Sequence, residues 1–203
     1  MLLRAFAELV ARSVCAACDD AVPPNTIFCR TCASTVERTL DPIGAFVYGG
    51  AIAEAILRFK FGGRPDLIAR FAPMLVPLVP SEVDLVVPVP IHPARLAERG
   101  YNQSALLARP VAHARGLPFH ARALERVRDT PRQAALDRAG RLANVERAFL
   151  ARDFRILRGR SIVLVDDVRT TGSTLRACAD ALHEVGAHRV FPLVLACRDG
   201  SAL

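Results

Sequence analysis

Two adjacent acids followed by a run of small hydroxyl residues form the part of this sequence best suited to chemistry. Backbone N–H groups that open a helix, together with neighbouring hydroxyl donors, can bind a phosphate group. Carboxylates do not suit the phosphate itself, but they accept hydrogen bonds from paired hydroxyls such as those of a ribose. The spacing therefore predicts a sugar-phosphate site built from Asp166, Asp167, Thr170, Thr171, Gly172, Ser173 and Thr174.

Apolar residues on both sides of this segment predict the elements that position it. Residues 162–165 predict a buried strand and residues 173–185 a helix, so the acids and hydroxyls fall in a strand-to-helix turn. A P-loop would need a lysine after its last glycine, and an Asp-x-Asp phosphotransferase would need an acid where Val168 stands. An ordinary turn with a capping hydroxyl remains the simplest alternative, but it does not account for the paired acids.

The segment from Val163 to Thr174 resembles the phosphoribosyl-pyrophosphate (PRPP) motif of type I phosphoribosyltransferases. The resemblance implies that residues 170–174 bind the 5′-phosphate and that Asp166 and Asp167 hold the ribose hydroxyls. It also implies Mg²⁺ bridging the ribose hydroxyls and the pyrophosphate. The fold expected is an open, mainly parallel α/β sheet flanked by helices, with ligands at the carboxyl ends of the strands.

A second cluster follows the apolar run 84–89, which predicts an internal parallel strand. Prolines stiffen the turn after this strand, and a cluster of arginines and side-chain amides follows the turn. Because the planar guanidinium of arginine matches phosphate oxygens, this cluster suits a leaving pyrophosphate. Asn102 is also a plausible N-cap for the next helix. The residues singled out for binding are His92, Arg95 and Asn102, with Arg99 as a catalytic candidate that stabilises the departing group.

The stretch from Pro88 to Gln103 resembles the signature of the ComF family, competence-associated proteins related to phosphoribosyltransferases. A later stretch, residues 124–149, also fits the pattern of that family. The resemblance implies a role in DNA uptake and natural transformation. It also implies an N-terminal four-cysteine zinc module, with single-stranded DNA and a competence helicase or other uptake proteins as partners.

Four cysteines near the N-terminus have the spacing of a metal site. Cys15 and Cys18 form one Cys-x-x-Cys turn, Cys29 and Cys32 form another, and ten residues separate the two pairs. Two such turns complete a tetrahedral shell of four thiolates without an open position, which predicts structural zinc. Iron in the same shell and redox-active thiol pairs are the alternatives.

The charge is concentrated in the middle of the chain. The net charge is +7 overall, while residues 92–160 hold 15 arginines against 6 acids, a net of +9. A field of this sign attracts anions, either a polyphosphate or a nucleic-acid backbone, although a compositional preference for arginine would also produce it. No apolar run is long enough to span a membrane and no secretory signal is evident, so a cytoplasmic protein without membrane insertion is expected.

The remaining pattern divides the chain into a module at 1–40 and a phosphoribosyltransferase-like domain at 41–203, with the boundary at Asp41-Pro42. Helices are predicted at 2–13, 33–39, 51–61 and 65–78, the last kinked or broken at Pro73, and strands at 45–48 and 190–196. Lys60, at the end of the 51–61 helix, is expected to be a solvated residue or a phosphate contact. Cys178 and Cys197 are expected to be core residues.

Residues 120–160 are rich in arginine and permit two interpretations. They form either a mobile lid that closes over a polyphosphate, as the family resemblance implies, or in part a solvated charged helix at 137–148. Three functions remain open: a true phosphoribosyltransferase with an unknown acceptor, a PRPP-binding adaptor without turnover, and a zinc-dependent binder of single-stranded DNA. The scattered aromatic residues of the arginine-rich region weaken the third.

Overall fold

The computed structural model of this chain describes residues 13–128 and 148–198. Within them, helices and strands alternate along most of the chain. A 3₁₀ turn at Val76–Leu78 extends the third helix. The elements are α1 (Arg30–Ala33), β1 (Gly44–Val47), α2 (Gly50–Phe61), α3 (Asp66–Leu75), β2 (Leu85–Pro88), α4 (Pro93–Arg99), α5 (Gln103–Arg115), β3 (Leu124–Arg126), β4 (Phe149–Ala151), α6 (Phe154–Leu157), β5 (Ser161–Arg169), α7 (Ser173–Glu184) and β6 (Arg189–Cys197).

Four parallel strands form the main sheet in the order β1-β6-β5-β2. β5 lies inside the sheet and is buried along most of its length, as expected for a parallel strand covered on both faces. All four strands end at the same edge, and helices cover both faces. The sheet confirms the predicted α/β fold class.

β5 is longer than the sequence pattern predicts. The apolar run ends at Val165, but the strand continues to Arg169 because β6 keeps pairing with it as far as Arg169 opposite Cys197. Asp166 and Asp167 therefore belong to the strand and not to the turn. Since side chains alternate along a strand, Asp166 follows Leu164 on one face and Asp167 follows Val165 on the other.

Two apolar cores lie on opposite faces of the sheet. One contains Ile52 and Phe59 of α2, Phe71 of α3 and Leu107 of α5. The other contains Leu164 of β5, Leu175 and Leu182 of α7, and Phe149 of β4, together with both Cys178 and Cys197. Burial of the last two confirms their prediction as core residues.

α3 passes through Pro73 without breaking. Its apolar side is buried as predicted, and Pro73 lies on the exposed side near the end of the helix. The chain tightens into a 3₁₀ turn only from Val76 onward. The helix therefore ends at Leu75, two residues after Pro73, and the rest of the predicted segment is 3₁₀.

Residues 13–39 pack against α2 and α3. The Arg70 guanidinium donates to the carbonyls of Val14, at 2.7 Å, and Thr26, while Phe28 contacts the Phe71 ring. The Thr35 hydroxyl accepts a 3.0 Å bond from the backbone N–H of Ala51 and so caps the first turn of α2. These contacts join the segment to two helices of the main fold.

The helix expected at 33–39 is wrong. The helix covers only Arg30–Ala33, after which the chain turns and runs beside β1, where the Val47 N–H donates to the Glu37 carbonyl at 2.9 Å. The helices expected at 2–13 and 137–148 lie outside the described residues. The division at residue 40 stays a prediction.

A two-stranded antiparallel ribbon, β3 with β4, packs beside α7. It belongs to the arginine-rich segment 120–160, of which residues 120–128 and 148–160 are described; the middle of the predicted lid lies outside the described residues. None of the helices in the described ranges combines the length and the apolar character needed to cross a bilayer.

Candidate functional site

An open cavity of about 1010 Å³ lies at the carboxyl ends of the parallel strands. The ends of β5 and β6, the last turn of α2, and the segment from Val89 through the start of α5 form its walls. Among the predicted site residues, it brings together Arg95, Arg99, Asn102, Asp166, Asp167, Thr170 and Thr174. Residues separated by 70 positions in sequence thus face one space.

Asp166 is buried and held by two hydrogen bonds to the same oxygen. The Ser104 hydroxyl donates to Oδ1 at 2.7 Å, and the backbone N–H of Asp167 donates to it at 2.9 Å. Burial, and then the charge of Asp167, raise the pKa of Asp166 from 3.8 to about 7, although the Ser104 bond and Lys60 oppose the shift. This carboxyl therefore changes charge near neutral pH.

Asp167 is paired with Lys60. The two charged groups approach to 2.5 Å between Nζ and Oδ2, and only 5 % of the Asp167 side chain is exposed. The other carboxylate oxygen accepts the backbone N–H of Val168 at 3.0 Å. The expectation that Lys60 is merely solvated is therefore wrong: it is part of the cavity wall.

The hydroxyl loop opens α7 through a glycine. Gly172 is the N-cap residue and has a left-handed backbone conformation, with φ of 76°. As a glycine, it offers no side chain to cap the helix. The Thr171 and Ser173 hydroxyls lie 3.1 Å apart. A hollow of about 20 Å³ lies beside them, lined by Thr170, Gly172, Ser173 and Thr174 among others. The Thr171 hydroxyl accepts a long bond from the first N–H of the helix, that of Ser173, at 3.5 Å. A helix start surrounded by hydroxyls suits an anion.

Arg95 and Arg99, both from α4, also line the cavity. Arg99 donates to the Gln103 side-chain oxygen at 2.5 Å, and its guanidinium stands 5.0 Å from the centre of the Phe61 ring. Burial lowers the pKa of Arg99 from its usual value, with Asp167 acting in the opposite sense. Gly100, with φ of 82°, turns the chain between α4 and α5 and so places the two helices at the cavity.

Asn102 caps α5, as predicted. Its side-chain oxygen accepts from the Ser104 N–H at 3.0 Å, and its amide donates to the Val89 carbonyl at 3.0 Å. Both ends of the side chain therefore tie the helix start to the end of β2, and Asn102 also lines the cavity. Asn102 therefore holds the start of α5 in place at the cavity.

His92, predicted as a ligand contact, caps α4 by accepting the Ala94 N–H on Nδ1 at 3.3 Å. Among the described residues, neither His92 nor Thr171 lines the cavity. Their part in ligand binding stays a prediction.

Several cavity residues were missed by the sequence reasoning. Ser104 follows the predicted cluster directly, and the helix N-cap before it was the available signal. Arg198, directly after β6, was also missed; its guanidinium lies 5.6 Å from the ring centre of Tyr48. Arg126 of β3 belongs to the segment for which a lid was predicted; it too lines the cavity, 5.5 Å from the ring centre of Phe149. Nothing in their local sequence separates these two arginines from the others.

The four N-terminal cysteines meet as predicted. Their four sulfur atoms all lie within 4.8 Å of one another. Cys18 and Cys29, from different pairs, have their sulfurs 3.7 Å apart, close to the edge of about 3.8 Å expected for a tetrahedral Zn–S₄ shell. The cluster has the donor set and the spacing to bind one metal ion.

A parallel sheet with paired acids and a hydroxyl loop at its carboxyl edge defines a phosphoribosyltransferase-like protein. A family model described as phosphoribosyl transferase domain matches residues 104–202. The DNA utilization protein YhgH of Salmonella typhimurium is 30% identical over 199 residues, covering 87% of this chain and 87% of that protein. Competence protein ComFC of Bacillus subtilis is 30% identical over 168 residues, which cover 78% of this chain and 67% of that protein.

Competence protein F of Haemophilus influenzae is 34% identical over 108 residues, which cover 53% of this chain and 47% of that protein. The chain therefore belongs to the ComF family of phosphoribosyltransferase-like proteins. A solved glutamine PRPP amidotransferase of B. subtilis aligns over 68% of this chain and 30% of its own, with a TM-score of 0.48 and 24% identity. A likeness this low adds no argument on function.

Proposed function

We propose that this protein binds PRPP together with Mg²⁺ in the cavity at the carboxyl edge of its sheet. One observation carries the proposal: the cavity joins a helix start that suits a phosphate, two carboxylates, and a wall with two arginines. A ribose that carries a phosphate at one end and a pyrophosphate at the other needs these three environments in this order.

Each part of the ligand has a partner. The 5′-phosphate lies at the start of α7, bound by residues 170–174. Asp166 and Asp167 accept hydrogen bonds from the ribose hydroxyls. Arg95 and Arg99 face the pyrophosphate, and Asn102 fixes the helix that carries the wall.

Mg²⁺ fits the chemistry of this ligand set because the carboxylates of Asp166 and Asp167 offer the oxygen donors that the ion prefers. When bound, the ion would neutralise negative charge on the pyrophosphate. The residues of the chain do the rest: the two carboxylates stabilise positive charge that develops on the ribose, and Arg99 stabilises the departing pyrophosphate. In a transfer, the bond from C1 to the pyrophosphate oxygen breaks and a bond to a nitrogen acceptor forms.

Calorimetric titration with PRPP and Mg²⁺, combined with a pyrophosphate-release assay on the same samples, tests this proposal. We expect binding by the wild type and loss of binding in a double variant, Asp166→Asn with Asp167→Asn. Asp180→Asn, an exposed acid of α7, serves as the matched control. Unchanged PRPP affinity in the double variant would refute the site.

Pyrophosphate release separates two forms of the function. Release with a nitrogen acceptor identifies a phosphoribosyltransferase. Tight binding without release across bases and amines identifies a PRPP-binding adaptor, the second form that the family relationship suggests.

We further propose that the protein acts in the uptake or use of DNA, with single-stranded DNA and a competence helicase or other uptake proteins as partners. The support is the names of its relatives: a DNA utilization protein and two competence proteins. In a naturally transformable host, the double variant is expected to lose PRPP binding and transformation together. Transformation at the wild-type level would separate the site from this role.

For the cysteine cluster we propose structural zinc, because the four thiolates leave no open position and their sulfur spacing fits a tetrahedral shell. Metal analysis of the purified protein is expected to find one zinc per chain. Iron, or two disulfides in its place, would contradict this assignment.

A further inference from the structure

Lys60 is the single lysine in a chain with 26 arginines. It is the second-last residue of α2, its side chain is 21% exposed, and it lines the cavity. Its ammonium pairs with Asp167, one of the two acids at the centre of the site. Every other long basic side chain of the protein is an arginine with a planar guanidinium, whereas Lys60 carries a compact ammonium.

The pairing conflicts with the proposed role of Asp167. Its Oδ1 accepts the Val168 N–H at 3.0 Å, and its Oδ2 lies 2.5 Å from the Lys60 ammonium. Oδ2 is buried and accepts no hydrogen bond; the ammonium is its only charged contact among the described residues. A ribose hydroxyl that binds Oδ2 must therefore displace the ammonium or share the oxygen with it.

Lys60 and the Arg99 guanidinium lie in adjoining parts of the cavity wall. Phe61, the residue after Lys60, lies under the Arg99 guanidinium, and the pKa of Arg99 responds to the charge of Asp167. Lys60, Arg99 and Asp167 therefore line one cavity, with the two basic residues close together. An ammonium on a flexible four-carbon stem can change partners more easily than a planar fork, which needs a fixed geometry.

We propose that Lys60 is a counter-ion that changes partner on ligand binding. In the ligand-free protein it neutralises Asp167. When the ribose hydroxyls occupy Asp167, the ammonium moves to the pyrophosphate beside Arg99. This inference rests on the proposed PRPP site and makes Lys60 a binding residue of that site.

The decisive comparison is between ligands with and without a pyrophosphate. PRPP, inorganic pyrophosphate and ribose 5-phosphate, each with Mg²⁺, are titrated into the wild type, Lys60→Met and the control Arg176→Met, an exposed arginine of α7. Lys60→Met is expected to weaken PRPP and pyrophosphate roughly tenfold or more, the value of a charged hydrogen bond. Ribose 5-phosphate should bind as well or more tightly, because Asp167 no longer has a competing partner.

A purely structural role would weaken ribose 5-phosphate as much as PRPP, and that result would overturn the inference alone. If the wild type binds none of the three ligands, both the proposed function and this inference fall. Because Lys60→Met leaves Asp167 buried without its counter-ion, the double variant Lys60→Met with Asp167→Asn is included. It is expected to fold and to retain the pyrophosphate defect; wild-type pyrophosphate affinity in it would contradict the proposal.

A measurement on the unaltered protein avoids any effect on folding. With one lysine, acetylation by a neutral N-hydroxysuccinimide ester reports on Lys60, and peptide mass spectrometry separates it from the terminal amine. Ribose 5-phosphate is expected to increase the acetylation rate by releasing the ammonium, and PRPP to decrease it. Equal effects of the two ligands would refute the exchange of partners.

Discussion

Asp166→Asn removes a buried charge and keeps the hydrogen bonds that hold the side chain. The Ser104 hydroxyl and the Asp167 N–H both donate to Oδ1, and the amide oxygen of asparagine accepts them equally well. The substitution should therefore stabilise the fold at neutral pH while it abolishes ligand binding. This is the stability cost that a functional site often imposes.

The magnitude follows from the raised pKa. The pKa of Asp166 is about 7 in the folded protein, against an ordinary value of 3.8. The folded chain therefore holds this proton longer, and the wild type loses stability as the pH rises between these values. At about 1.4 kcal/mol per pH unit, the wild type should lose roughly 2–3 kcal/mol relative to Asp166→Asn between about pH 5 and about pH 8.

Urea denaturation of both proteins at the two pH values measures this difference directly. Comparing the two chains cancels the titration of groups that do not interact with Asp166. Asp180→Asn, on the exposed face of α7, controls for the loss of a charge and should show no such pH dependence. The reasoning is refuted if Asp166→Asn is less stable than the wild type at the higher pH, or if the difference does not change with pH.

Three further predictions test the fold and the metal cluster. Cys18→Ser should abolish stoichiometric metal binding, measured by a colorimetric zinc-release assay; full retention would show that its sulfur is not a ligand. Gly44→Ala should destabilise the protein by about 1–3 kcal/mol in denaturant melts, because the new Cβ would meet a buried sulfur of β6 at 2.5 Å, whereas Gly49→Ala, with open space around it, should be neutral. Thr35→Ala should cost about 1 kcal/mol by removing the hydroxyl that caps the first turn of α2; an unchanged melting temperature would contradict this.

Local patterns predicted the elements well where one physical signal dominated. The helices 51–61 and 173–185 and the strand 84–89 match α2, α7 and β2 within one residue at each end, because apolar periodicity and flanking breakers agree there. The 33–39 helix failed because this segment runs beside β1, a contact that no local pattern contains.

The candidate site was predictable in part. The acids, the hydroxyl loop and the arginine cluster are each continuous in sequence, so their residue types alone pointed to a ribose phosphate. The partners of the acids were not predictable, because Lys60 and Ser104 reach Asp167 and Asp166 across the fold. The acids were also misplaced in a turn, since only the pairing with β6 extends β5 past its apolar run.

The sequence by itself determined the α/β class, the meeting of the four cysteines and the chemistry that the site offers, because these depend on local periodicity, spacing and residue type. The tertiary structure alone decided which groups share the cavity and in what charge state. The pKa of Asp166 and the pairing of Asp167 depend on burial and on charges that arrive from distant elements. Electrostatic energies depend on distance and on solvent exposure, and neither can be read from the order of residues along the chain.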